Sequence, residues 1–193
     1  PQIKYDSKRG YAQFPYADSP TKVIGYVSCH DNNTLYDKLK IANPKATEKE
    51  LVQMDKLANT IILTSQSIPF LHMGEEMKRT KKGVENSYNA PDSINKINWN
   101  WKHENLALVE YYKKLIQLRK NHPAFKMPTE QMIQEHLEFL ELESPLLVGY
   151  TLKNSANGDP WKTIRVYFNG DEKAVNQPLE GSWELVCNGE LID

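Results

Sequence analysis

The sequence predicts an α/β region followed by a small all-β region, with the change of character near residue 126. Three observations carry this. Val23-Ile24-Gly25-Tyr26-Val27-Ser28 is an apolar, β-branched run without helical spacing, which reads as a buried strand. A helical stripe follows, and then a second short apolar run, Ile68-Pro69-Phe70-Leu71-His72; strand, helix, strand is a βαβ unit and favours a parallel sheet. Beyond residue 126, short strand-like runs recur at even spacing, the pattern of a small antiparallel β-sandwich.

Taken in order, residues 1–22 are polar and carry Gly10, Pro15 and Pro20, an extended approach to the first strand. Residues 36–43 read as a short amphipathic helix ended by Asn43-Pro44. Thr47-Glu48-Lys49-Glu50 is a capping box, and Leu51, Met54, Leu57, Ala58, Ile61 and Ile62 then fall at helical spacing, so a helix is expected over 47–66, stopped by Ser67 and Pro69. Residues 73–104 have no periodicity; a segment of that length in a compact domain is functional or disordered. Its amides, carboxylates, Arg79, Trp99 and Trp101 argue for order and suit a polyhydroxylated ligand, although the Trp pair by itself reads more simply as an anchor to the core. Val109, Tyr112, Leu115, Ile116 and Arg119 mark a second long helix over 106–121, ended by His122-Pro123. Strand-like runs then follow at 137–142, 146–153, 163–168, 174–179 and 183–187, with turn signals at Asn157-Gly158, Asn169-Gly170 and Asn188-Gly189. The expected domains are 1–125 and 126–193.

Composition narrows the partners. A formal net charge of −1 gives no electrostatic attraction to nucleic acid or to an anionic membrane, and no apolar run approaches the ~18 residues of a membrane span. There is no initiating Met and no signal peptide, and Pro1-Gln2-Ile3-Lys4-Tyr5 reads as a start in mid-chain. Cys29 and Cys187 do not make a disulfide framework, so the compartment stays open. No metal or cofactor is expected: His72, His103, His122 and His136 lack ligand-like spacing, which also weakens a reading of His30-Asp31 as the metal pair of a helical phosphohydrolase.

The polar switch after Ser28 sets His30 beside Asp31 at a strand end, where barrel enzymes carry functional groups. The dipeptide alone reads more simply as a surface His and a capping Asp; the flanking residues change this. Tyr26-Val27-Ser28-Cys29-His30-Asp31-Asn32 resembles the seventh-strand motif of the α-amylase superfamily of retaining glycoside hydrolases, and Ile68-Pro69-Phe70-Leu71-His72-Met73-Gly74-Glu75-Glu76 its eighth-strand motif. Arg79-Thr80-Lys81-Lys82-Gly83 and Asn86-Ser87-Tyr88-Asn89-Ala90-Pro91-Asp92-Ser93-Ile94-Asn95 are similar to type I pullulanases, which hydrolyse α-1,6 branch points of pullulan, glycogen and starch-derived glucans.

This resemblance implies a partial (β/α)8 barrel, its last two βα units, followed by the β-sandwich. It assigns Asp31 as the carboxylate that stabilises the transition state and His30 as a contact to a sugar hydroxyl, with Asn32, Tyr88, Asp92 and Asn95 binding the glucan. Glu75 and Glu76 match the motif after strand eight; a loop salt bridge explains them as well as sugar contact does. Retaining cleavage also needs a nucleophile and an acid about 5–5.5 Å apart. In the family both lie upstream of the seventh-strand motif, where this sequence has only some two dozen loop-like residues. The segment is therefore expected to be inactive alone, to require the missing N-terminal part, and to self-associate through exposed barrel core. The competing class is a non-catalytic glucan-binding or structural piece, for which Trp161 and Trp183 are the candidate platform residues, Trp183 alternating like a core residue.

Overall fold

Side-chain caps set where several of the helices begin. The computed structural model describes residues 17–190 and 192, so the expected approach over 1–16 lies outside the described residues. The Thr34 hydroxyl accepts the Asp37 N–H at 3.2 Å and starts α1, Leu35–Ala42. Thr47 and Glu50 form the expected box, with Thr47 N–H donating to Glu50 Oε2 at 2.6 Å and Glu50 N–H to Thr47 Oγ1 at 3.3 Å. They start α2, Glu48–Thr64. The remaining helices are α3, Asp92–Asn95, α4, Asn100–Glu104, α5, Leu106–Asn121, and α6, Glu130–His136. The sequence reading had no helix at α6, yet Thr129 caps it through the Met132 N–H at 3.2 Å. No helix among the described residues is long and apolar enough to cross a membrane.

The two expected strands are shorter than their apolar runs: β1 is Ile24–Gly25 and β2 is Ile68–Pro69. Ile68 N–H donates to Val23 O at 2.8 Å and Phe70 N–H to Gly25 O at 2.9 Å, both strands advancing in the same sense as in a parallel ladder. Neither run is buried: Ile24 is 59% and Tyr26 52% exposed, and Phe70 is 42% exposed. With only each other to pair with among the described residues, these strands have no third strand to extend them, and Val23, Gly25 and Val27 on the other face are only half-buried.

The chain divides into two compact units. Among the described residues the first comprises 17–24, 65–68 and 119–183. It holds an antiparallel sheet in the order β3-β4-β5, with β3 at Leu137–Phe139, β4 at Leu147–Leu152 and β5 at Ile164–Asn169. Register runs from Leu137 opposite Leu152 to Leu147 opposite Asn169. Tyr150 packs between Phe139 and Phe168, ring centroids 6.2 and 6.1 Å away. Gly149 is required in β4, because a Cβ there would lie 2.9 Å from the Tyr167 ring and 3.0 Å from Leu140. Buried Asp159 gathers the polar end of the unit, accepting the Ala124 and Trp161 N–H groups at 3.1 and 2.9 Å and facing His122 Nδ1 at 3.0 Å. The His122 ring stacks on Trp161.

Two expected strands, 174–179 and 183–187, do not form; the described residues there show only an isolated bridge between Cys187 and Ile192. Val175, Leu179, Trp183 and Leu185 are exposed, so the alternation finds no face to bury. Trp183 is accordingly not a core residue: its indole N–H bonds Glu180 O at 2.9 Å and the Arg165 guanidinium lies 5.0 Å from its ring.

Among the described residues the second unit comprises 25–64, 69–118, 184–190 and 192. Its apolar core joins Leu63 of α2, Leu108, Tyr111, Tyr112 and Leu115 of α5, and Ile192. The deepest line on α2 is Leu51, Asp55, Asn59 and Leu63, at spacing of one helical turn. The expected stripe instead named Met54, Leu57 and Ile61 beside Leu51; the first two are half-buried and Ile61 is exposed. Polar Asp55 and Asn59 displace the stripe because Tyr112 offers them a buried partner.

Candidate functional site

The site is built where β1 ends, in the second unit. Ser28 is buried and its hydroxyl donates to Glu75 Oε1. Two residues on, the chain surfaces: the His30 and Asp31 side chains are 83% and 72% exposed, with His30 Nδ1 3.1 Å from Asp31 Oδ1. Asn32 turns the backbone in the left-handed region at φ 63°, a conformation Asn tolerates, and the chain enters α1 at Thr34.

A polar web fixes the segments around this pair. Asp37, buried on α1, accepts from Thr80 Oγ1 and from the Lys81 N–H at 2.7 Å. The Lys81 ammonium, also buried, donates to His30 O at 3.2 Å and to Ser87 Oγ at 2.7 Å. Asn95 Nδ2 donates to Ser87 O at 2.6 Å and Ala90 O at 3.0 Å, closing the loop that displays Tyr88 and Asp92. Arg79 Nη2 donates to Asn95 O at 3.0 Å, and its Nη1 lies 3.3 Å from His72 Nε2. Gly74 makes this return possible: its φ is 96°, and a Cβ would come within 2.8 Å of Arg79 Cβ.

Burial sets the charge states here. Desolvation pushes the Glu75 carboxyl up to about 7 against the opposing Ser28 hydrogen bond. Burial also lowers Lys81 from the usual lysine range, with Arg79 adding to this and Asp31, Asp37 and Cys29 opposing it. His72 is lowered by burial first and then by Arg79, Lys81 and His30, which favours its neutral form. Among the described residues no group of three or more His, Cys, Asp or Glu is placed to hold a metal. Such a surface can offer a sugar two carboxylates, at Asp31 and Asp92, with one imidazole, a phenol and amides.

Residues 133–191 match the family profile of the pullulanase all-beta domain. The pullulanase of Bacillus subtilis (strain 168) is 39% identical over 176 residues, 90% of this chain and 24% of that protein. Apo pullulanase from Paenibacillus barengoltzii superposes with a TM-score of 0.87 at 42% identity, over 97% of this chain and 28% of that one. The chain is similar to a segment of type I pullulanases. It is also similar to the Paenibacillus barengoltzii pullulanase complexed with maltohexaose and α-cyclodextrin, with a TM-score of 0.85 at 42% identity, over 91% of this chain and 27% of that one. The chain spans about a quarter of the length of these relatives.

In this chain His30, Asp31, Asn32, Tyr88 and Asp92 all lie on the surface, Tyr88 with 83% of its area open. Asn95 differs, since its side-chain NH₂ is engaged within its own loop. Trp99 is not the core anchor that the Trp pair suggested: it is 62% exposed and lines, with Trp101, an open cavity of about 590 Å³. Sequence reasoning assigned nothing to Asp37, Lys81 or Ser87. Asp37 follows Thr34 by three residues and so reads as a partner in a helix cap, but its carboxylate turns to Thr80 and Lys81 instead. Lys81 sits in a run of basic residues that composition assigns to solvent.

Proposed function

We propose that this chain is the C-terminal part of a pullulanase-type retaining hydrolase of α-1,6-glucosidic branch linkages in pullulan, glycogen or starch-derived glucans. Residues 1–125 supply the last two βα units of its (β/α)8 barrel and 126–193 its β-sandwich. The observation that carries this reading is the exposed His30–Asp31 pair, 3.1 Å apart and tied through Lys81 to the loop bearing Tyr88 and Asp92.

Cleavage with retention passes through an oxocarbenium-like transition state. Asp31, open and acceptor-only when ionised, stabilises that positive charge, and His30 hydrogen-bonds a hydroxyl of the same sugar. Asn32, Tyr88 and Asp92 contact the glucan chain; Asn95 serves by shaping their loop. The maltohexaose named with a relative supports a linear α-glucan as the bound chain. The nucleophile and acid come from the remainder of the enzyme, since Glu75 is buried against Ser28 and Glu76 Oε2 accepts the Gly74 N–H at 3.1 Å. Exposed Tyr26, Phe70 and Met73 support contact with strands of that remainder.

The test is a hybrid in which this chain replaces the matching segment of the Bacillus subtilis pullulanase. It should hydrolyse pullulan, and Asp31→Asn should lower kcat by about 10²–10³ with little change in KM, the size of one lost electrostatic stabiliser. His30→Ala should be milder and act partly on KM. An active hybrid in which Asp31→Asn turns over at the parental rate removes Asp31 from the mechanism and ends this reading.

A further inference from the structure

We infer that Lys81 is a positioning residue for the His30–Asp31 pair, its buried ammonium locking the His30 backbone against the loop that displays Tyr88 and Asp92. The inference rests on the functional reading above and adds the residue that holds the two halves of that site in register.

Three observations carry it. A lysine is among the residues least often buried without a charged partner, because removing an ammonium from water is costly. Lys81 is only 4% exposed, and its Nζ is satisfied by two neutral oxygens, His30 O at 3.2 Å and Ser87 Oγ at 2.7 Å. Those two acceptors lie on the two segments that carry the candidate sugar contacts. The base of the lysine is itself fixed, since Asp37 on α1 accepts its backbone N–H at 2.7 Å and the preceding Thr80 hydroxyl. The far side is fixed as well, through Asn95 to Ser87 O at 2.6 Å. A rigid helix therefore reaches, through one side chain, both the carbonyl next to Asp31 and the residue next to Tyr88. An ordinary loop lysine would leave its ammonium in water. A displacement of about 1 Å at a reacting group is enough to cost about 10²-fold in rate, so a clamp of this kind acts on turnover more than on capture of the polymer.

Lys81→Met keeps the length and apolar stem and removes both hydrogen bonds. In the hybrid enzyme it should lower kcat on pullulan by about tenfold or more while KM shifts by less than about threefold. Ser87→Ala should move kcat in the same direction by less, and Ser87→Thr, which restores the hydroxyl, should recover it. In the 193-residue chain itself, Lys81→Met should speed amide hydrogen exchange at Ala90, whose N–H bonds Ser87 O at 3.0 Å, by about tenfold, with exchange in α5 unchanged. If Lys81→Met unfolds the chain, the Ser87→Ala and Ser87→Thr pair decides the question by the same two readouts. Parental kcat for Lys81→Met in a hybrid that Asp31→Asn inactivates overturns the positioning role and leaves the functional reading standing. If Asp31→Asn is itself silent, the functional reading fails, and unchanged exchange at Ala90 then overturns the clamp independently.

Discussion

Tyr112 on α5 donates its phenolic hydrogen to Asp55 Oδ1 on α2 at 2.7 Å, and Asn59 Nδ2 donates to the same phenolic oxygen. All three residues are buried in the second unit, next to Leu63 and Leu115. The contact joins the two longest helices by a polar pair within an apolar core. Burial pushes Asp55 up to about 7 and raises Tyr112 above the usual tyrosine range.

Tyr112→Phe should therefore cost more than a surface hydrogen bond. It leaves Asp55 Oδ1 and the Asn59 amide without their partner in the interior, a loss of about 1–3 kcal/mol. Urea unfolding followed by tryptophan fluorescence measures it; a midpoint equal to that of the parent chain contradicts the buried pair. Asp55→Asn should be milder at pH 8, because the amide still accepts from Tyr112 and carries no charge to desolvate.

Stability should fall as pH rises from about 5 to 8. Glu75 and Asp55 have folded pKa values of about 7 against ordinary values of 4.5 and 3.8. A carboxyl raised on folding binds its proton more tightly in the folded chain, so its contribution is complete below the unfolded value and is lost as pH climbs through the folded one. Glu48, held down first by its Tyr36 hydrogen bond, and His72, lowered first by burial from its ordinary 6.5, act in the opposite sense, and His72 offsets part of the decline in the lower half of the range. Glu75→Gln should flatten the decline by about 1–3 kcal/mol across the range. Equal slopes for the two proteins, from urea midpoints at pH 5, 6, 7 and 8, count against a buried proton on Glu75.

These two cases show what a linear pattern conveys and what it hides. The capping box at Thr47 and the stripe on α5 depend on residues three or four apart, so both helices were legible to within a few residues. The strands depend on neighbours that sequence does not name, and runs such as 23–28 and 183–187 shrink or vanish where no partner pairs with them. Likewise, His30 and Asp31 stand out as candidates because they are adjacent and end an apolar run. Lys81 reaches across 51 residues to His30 and Asp37 across 44 to Lys81, separations over which no local rule operates.

The first unit hangs on one carboxylate, and Asp159→Ala should show it. The substitution strips the acceptor from the Ala124 and Trp161 N–H groups and from His122, all at 2.9–3.1 Å. Unsatisfied buried donors cost about 1–3 kcal/mol each before any relaxation toward water, so a loss of at least about 2 kcal/mol is expected. Calorimetry on the variant checks it, and near-ultraviolet circular dichroism should report loss of the His122–Trp161 stack.

The purified 193-residue chain should not hydrolyse pullulan and should bind linear glucan weakly. Retaining chemistry needs two carboxyl groups about 5–5.5 Å apart across the scissile bond. The site region offers one open carboxylate at Asp31 and another on the loop at Asp92, while Glu75 is engaged with Ser28 and Glu76 with the Gly74 N–H. A sugar subsite on a barrel is assembled from loops after several strands, and on the proposed reading this chain supplies two of them. The same strands leave Tyr26 and Phe70 in edge-to-face contact at 6.1 Å with both rings open to solvent, beside exposed Met73. Apolar surface beside a short parallel strand pair favours association, so the chain should elute larger than a monomer at tens of micromolar and smaller on dilution. Maltotriose released from pullulan by a preparation of verified mass would overturn the inactivity. A monodisperse monomer at high concentration would overturn the association alone, because the missing chemistry does not depend on it.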